Sequence, residues 1–385
     1  MVLLAGFPRA ALTLGSRPHH GRRPSTCRRK VIRLAAVSCT RVCVCPFGVS
    51  CMLPHCSRVR ANWKLATSVE MPKVKLNDGR EMPALALGTY LGFNEQGIIH
   101  SENHQLRSVI SQAIDVGYRH FDTAAIYGTE GEVGEGVAAK IKEGVRRSDI
   151  FVTTKLWNTH HKREQVAVAL QQSLKASGLD YVDLYLMHWP MGFNDDYSVS
   201  KVDYMETWRG MEDAHKLGLV KSIGVSNFNQ EQLGRLLNES RVHPSVLQIE
   251  VHPQLPQTSL VSYAQSRGLV VMGYSPFGAM VSRFGAPPPK KESVLKELAE
   301  KYGKSEAQIV LRWLVDRNIV PIPKTVNPKR LEENINIFDF KLEKDEIQRV
   351  NTLDTNTRFT LPSFWQNHPY YPFDKVDNPI PSPFV

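Results

Sequence analysis

Beyond residue 70 this 385-residue sequence contains no cysteine: all six (Cys27, Cys39, Cys43, Cys45, Cys51 and Cys56) precede that point. A disulfide framework or a cysteine-ligated zinc site is therefore excluded for most of the chain. The six that exist are irregularly spaced, and no paired histidines follow at finger distance, which argues against a metal module there too. Acids are almost missing from the same stretch. Residues 1–70 hold ten Arg and two Lys against Glu70 alone, a net +11, while the whole chain carries +10 and residues 71–385 therefore −1. The high isoelectric point belongs to the N-terminal segment and is no argument for nucleic-acid binding, which needs a basic face on a fold. No apolar run approaches the roughly 20 residues that span a bilayer.

Two domains are expected: a basic, cysteine-containing extension, 1–70, and a folded domain, 71–385. The extension is rich in Arg, Ser and Ala, as mitochondrial transit peptides are. The competing reading is that it is not structural and that translation begins at Met71, which is followed by Pro72 and a clean strand–turn pattern.

From Lys73 onward short apolar runs alternate with amphipathic ones. A hairpin comes first, Val74–Leu76 and Glu81–Pro83 around Asn77-Asp78-Gly79. Eight strand candidates follow: 84–87, 118–123, 150–156, 182–188, 220–225, 246–251, 270–274 and 319–323. Helical patterns follow them near 104–116, 132–143, 163–177, 204–217, 230–238, 258–267, 292–316 and 329–337, with another at 343–352. Such alternation predicts a parallel sheet. An open doubly wound sheet would carry a Gly-rich turn after its first strand; here Leu87-Gly88-Thr89-Tyr90 stands there instead. The one similar string, Gly131–Gly136, falls in a helix start and is set aside. The fold class expected is α/β, a (β/α)8 TIM barrel with an N-terminal β-hairpin, one or two extra helices and a C-terminal loop over the substrate. Gly278–Glu292 reads as a loop. The final 31 residues are rich in Pro and aromatics, unlike a disordered tail.

Active sites of such barrels sit at the carboxyl ends of the strands. Polar residues there are Asp122, with Tyr127 five residues on, Lys155, His188, Ser226-Asn227, and Gln248, Glu250 and His252 on one face of their strand by its period of two. Singly, each has an ordinary explanation: a cap, a rim aromatic, a snorkelling lysine, a buried histidine, a structural Glu–His cluster. Jointly they fit protonation of an alkoxide. Asp122 supplies the counter-charge for Lys155, the ammonium lowers the Tyr127 pKa so that the phenol becomes a general acid, and His188 orients a carbonyl. A zinc hydrolase drawing on Asp122, His188 and His252 is the rival, weakened by the cation at Lys155.

Residues 72–385 resemble the aldo-keto reductase superfamily. The strings that carry the resemblance are Gly79–Pro83, Leu87–Thr89, Gly117–Gly128, Gly178–Pro190, Gly224–Phe228, Gln248–Pro253 and Ile322–Thr325. It implies NADPH-dependent reduction of aldehydes or ketones, with Tyr127 as proton donor, Asp122 and Lys155 as its tuning pair and His188 as orienter. It implies that Ser226, Asn227 and Gln248 grip a nicotinamide carboxamide under Tyr274. Gly88, Thr89, Asp122, Ser275, Pro276, Phe277, Lys324, Thr325, Val326, Arg330, Glu333 and Asn334 are implied for the rest of the cofactor, with Lys324 and Arg330 on a 2′-phosphate. Tyr90, Tyr127, Trp157, His188 and Trp189 are the implied substrate contacts. Tyr90 stands where many relatives have Trp, and the 190–203 loop and the final segment have their own lengths and spacing. A small carbonyl substrate, a cytoplasmic monomer, and no metal, nucleic-acid or membrane partner complete the expectation. A non-catalytic NADPH-binding scaffold of the same fold is the alternative.

Overall fold

The computed structural model describes residues 71–92, 105–280 and 293–380. The expectations for 1–70 and for most of the 278–292 loop lie outside the described residues.

The hairpin forms as read: β1 (Lys73–Lys75) pairs antiparallel with β2 (Glu81–Pro83), Val74 opposite Met82. Eight parallel strands follow: β3 (Leu87–Gly88), β4 (His120–Asp122), β5 (Phe151–Leu156), β6 (Val182–Met187), β7 (Val220–Ser226), β8 (Val246–Glu250), β9 (Val270–Tyr274) and β10 (Ile319–Ile322). They neighbour one another in chain order. The two edges meet, since the Ala86 and Gly88 amides donate to the Pro321 and Pro323 carbonyls at 3.1 and 3.0 Å. The sheet is therefore a closed (β/α)8 barrel, which leaves no open edge. The helices are α1 (Gln105–Val116), α2 (Glu130–Lys142), α3 (Arg163–Ser177), α4 (Tyr204–Lys216), α5 (Gln230–Glu239), α6 (Thr258–Ser266), α7 (Ser293–Tyr302), α8 (Glu306–Asp316), α9 (Pro328–Ile335) and α10 (Lys344–Asn351).

Period-two alternation divides the strand residues between two cores. Tyr185 and Met187 of β6 face the helices, whereas Leu184 and Leu186 face the barrel axis with Val246, Met272 and Val320. Leu76 and Met82 of the hairpin join that inner cluster and plug its N-terminal end. Further up the same inner rows the side chains turn polar: Phe151, Thr153, Lys155 on β5; His120, Asp122 on β4; Val246, Gln248, Glu250 on β8. The apolar bottom stabilises the barrel, and the polar top is where chemistry can sit.

Two details differ from the sequence reading. The pattern 292–316 is two helices. Gly303, at φ +61°, breaks it, and Ser305 starts α8 with a capping box completed by Gln308. The glycines of Gly131–Gly136 are packing residues within α2. A Cβ on Gly134 would lie 1.7 Å from the Ser177 carbonyl oxygen, and one on Gly136 2.6 Å from Ile110 Cβ. The bare backbone lets α2 approach α1 and α3. Gly134→Ala is expected to lower unfolding stability by about 3 kcal/mol, read as a lower urea midpoint at constant slope; an unmoved midpoint would contradict this packing.

Candidate active site

Lys155 is 0% exposed at the carboxyl end of β5. A buried ammonium needs all its protons accepted, and here each has an acceptor. Lys155 Nζ donates to Asp122 Oδ1 at 2.6 Å, to the Thr123 carbonyl at 3.0 Å and to Tyr127 Oη at 3.4 Å. Gln248 Nε2 donates to the other Asp122 oxygen at 2.8 Å. Both carboxylate oxygens are thus fixed by neighbours on β5 and β8. Tyr127 ends a 3-10 turn, Ala125–Tyr127, stopped by Gly128 in the left-handed region (φ +63°). Buried hydroxyls hold the base of this turn: Thr129 bonds Thr89 and Thr123, both at 3.1 Å, and Thr89 donates to the Asp122 carbonyl.

Four of the residues singled out in the sequence are therefore brought together. His188 closes the group, its ring 5.6 Å from that of Tyr127. Burial and then the Lys155 charge hold its pKa well below the usual histidine range, so the imidazole is neutral, and its Nδ1 has no hydrogen-bond partner among the described residues. A neutral ring beside Tyr127 suits it to orient a carbonyl oxygen.

The acidity expected of Tyr127 is corrected. Burial pushes the phenol well above its usual range, and the Asp122 charge pushes the same way. Burial also lowers the Lys155 ammonium against the pull of Asp122. Desolvation outweighs the single favourable cation, with Tyr90 at 5.0 Å and His188 at 5.6 Å packed against the half-buried ring. The phenol is a stored proton in the resting site. Its release waits for negative charge to appear nearby.

Beside this group, β7 ends in Ser226-Asn227, with Asn227 in the left-handed region at φ +61°. Asn227 Nδ2 donates to the His188 carbonyl at 3.0 Å, and the Tyr274 hydroxyl donates to Asn227 Oδ1 at 2.8 Å. Ser226 Oγ donates to the Gln248 carbonyl. Ser275, next in line, is also left-handed at φ +50°. Two strained non-glycine residues at one mouth are typical of functional sites. Hydroxyl and amide groups beside an aromatic ring fit a planar carboxamide on a nicotinamide. Past β10, the Lys324 backbone bridges Gly88 across the seam, and Arg330 lies exposed in α9.

Some implied cofactor contacts are otherwise engaged. The Thr89 hydroxyl is buried on Asp122 and Thr129, and the Thr325 hydroxyl accepts from the Asn327 amide. Glu333 accepts from Ser305 Oγ, and Asn334 is buried. Pro276 is buried, and Phe277 and Val326 pack on the outer core. Two of the three residues of the zinc alternative serve other partners: Asp122 binds Lys155 and Gln248, and His252 faces Glu250. Among the described residues no cluster of three His, Cys, Asp or Glu could hold a metal ion.

The substrate side is aromatic. Trp157 lies 5.3 Å from His188 and 6.1 Å from Trp365 of the final segment. Trp189 lies at 6.2 Å from Trp365 and 5.8 Å from Phe373, only 6% exposed. It packs against that segment in the same aromatic cluster. Tyr197 was not singled out in the sequence; its hydroxyl accepts from Trp157 Nε1 at 3.3 Å, from a backbone at φ +59°. No local signal marks it, since only loop geometry brings it there.

Barrel and site define an α/β barrel with a buried Lys–Asp pair, a tyrosine and a histidine gathered at the carboxyl ends of its strands. The model of the Aldo/keto reductase family matches residues 84–355, and the chain belongs to that family. It is 48% identical to aldo-keto reductase AKR2E4 of Bombyx mori over 309 residues, 79% of this chain and 99% of the relative. It is 40% identical to aldo-keto reductase family 1 member A1 of Homo sapiens over 326 residues, covering 78% and 98%. The structure of AKR2E4 in complex with NADP superposes with a TM-score of 0.75, over 79% of this chain and 100% of that one. The structure of aldo-keto reductase AKR2E5 complexed with NADPH does so with a TM-score of 0.78 at 45% identity, covering 82% and 97%. No helix among the described residues is long and apolar enough to cross a membrane.

Proposed function

We propose that residues 71–385 form an NADPH-dependent reductase of aldehydes and ketones. The observation that carries the reading is the Lys155 ammonium held at once on Asp122, Thr123 and the Tyr127 hydroxyl. Bound NADPH would supply the hydride. Ser226, Asn227 and Gln248 would hold its carboxamide against Tyr274, and Lys324 and Arg330 its 2′-phosphate, which supports preference over NADH. Relatives solved with NADP and NADPH support the same choice.

The chain's own residues do the rest. The neutral His188 orients the carbonyl oxygen toward Tyr127. As that oxygen gains negative charge, Tyr127 hands over its proton, and the phenolate left behind is stabilised by Lys155. Asp122 keeps the ammonium in place for that moment. Tyr90, Trp157 and Trp365 favour hydrophobic carbonyls: aryl or alkyl aldehydes, quinones, steroid ketones. We read the protein as a cytoplasmic monomer, by analogy with its family.

The test is cofactor oxidation across such a panel, with NADPH and NADH compared. Turnover with NADPH that falls with NADH is expected. NADPH binding without turnover on any carbonyl would favour the non-catalytic scaffold instead.

A further inference from the structure

Glu250 is fully buried at the end of β8, one inward step beyond Gln248. It takes no part in the proton transfer. Among the described residues, its carboxylate hydrogen-bonds elsewhere. Oε1 accepts from the Phe359 amide at 2.7 Å and from His252 Nε2 at 2.9 Å, and Oε2 accepts from the Thr360 amide at 2.9 Å. A carboxylate held this deep is costly unless its lone pairs are filled. Burial alone would raise its pKa, but His252 and the two amides more than offset that and hold it below the usual glutamate range.

We propose that Glu250 is a positioning residue, a latch that holds the C-terminal segment 355–373 at the barrel mouth and thereby sets which carbonyl compounds enter. The substrate half of this proposal rests on the reductase reading above.

The segment is tied at two places. Near its start, the Thr355 and Thr357 amides donate to the Gln254 carbonyl at 3.2 and 3.1 Å, and Arg358 reaches Gln257 at 3.2 Å. Near its end, His368 bonds the Gly192 carbonyl, while Gln232 and Asn229 donate to the Tyr370 and Pro372 carbonyls. Between them lies Trp365, the ring that meets Trp157 beside His188. Glu250 is the anionic tie at the near end. It stands on the same rigid strand as Gln248, which grips Asp122, so strand β8 sets the distance between the proton-transfer group and the segment that covers it. The cradle is backed by Gly278 (φ +47°), where a Cβ would lie 2.7 Å from His252 Nδ1. A side chain at that position would collide with His252, so the glycine leaves room for the ring that meets Glu250. Because the latch grips main-chain amides, it does not depend on which side chains stand at positions 359 and 360.

Glu250→Gln keeps the volume but turns one acceptor into an amino group facing an amide donor. We expect backbone exchange of Phe359 and Thr360 to speed up about tenfold, and KM for a bulky aryl ketone to rise about tenfold while kcat stays within about threefold. KM for a short aliphatic aldehyde and NADPH affinity, read by tryptophan quenching, should stay near wild type. Phe359→Pro deletes one donor and leaves Glu250 in place; it should speed exchange of the Thr360 amide and give the same KM pattern, and it carries the test if Glu250→Gln does not fold. Unchanged exchange over 355–373 would overturn the latch, as would a KM rise equal for small and bulky substrates. A wild type that turns over no carbonyl would refute the reductase reading instead, and the exchange readout would still decide the latch.

Discussion

Tyr127→Phe will lower kcat for carbonyl reduction by about three to four orders of magnitude while leaving NADPH affinity within about twofold. The ring stays, so its contacts with Tyr90 and His188 persist. Only the hydroxyl 3.4 Å from the Lys155 ammonium is lost. Because burial keeps the phenol protonated far above neutral pH, the wild-type reaction draws on a proton already in place, and no deprotonation of Tyr127 should appear in the profile of kcat/KM between about pH 6 and 9. Turnover by Tyr127→Phe at a tenth of wild type or better would remove Tyr127 as the acid.

Lys155→Met is expected to damage both stability and activity. The Lys155–Asp122 pair is 0% and 5% exposed and 2.6 Å long. Removing one member of such a pair strands the other, at a cost of about 3 to 5 kcal/mol. Denaturant unfolding should show that loss, and the double variant with Asp122→Asn should recover part of it. The remaining activity should fall about a thousandfold even at low temperature where the protein is folded, because nothing then stabilises the phenolate. A Lys155→Met protein as stable as Asp122→Asn/Lys155→Met would mean that the pair is not held as tightly as its geometry indicates.

Much of the site was legible because it depends on strand period. Asp122, Lys155, His188 and Gln248 each sit at the end of an apolar run in inward register, and neighbouring parallel strands bring such ends together. The division of 292–316 was also legible in principle, in Gly303 and the Ser305–Gln308 spacing. Other features had no local signature. The contact of Trp189 with Trp365 of the final segment is one, since it joins residues far apart in the chain. Glu250 and His252 read as a structural polar pair, and nothing near them in the chain announces that residues more than a hundred positions later complete their hydrogen bonds.

Residue order alone was enough to place the strands, the faces they turn inward, the hairpin that plugs one end and the residues gathered at the other. These follow from periodicity, turn chemistry and chain order, all of which are local. It took the assembled fold to bring burial and the Asp122 charge to bear on Tyr127, both pushing its phenol up, and to set the Phe359 and Thr360 amides on Glu250. Desolvation and the field at a buried group are sums over every neighbour the fold brings within a few ångströms, and most of those neighbours are far away in the chain.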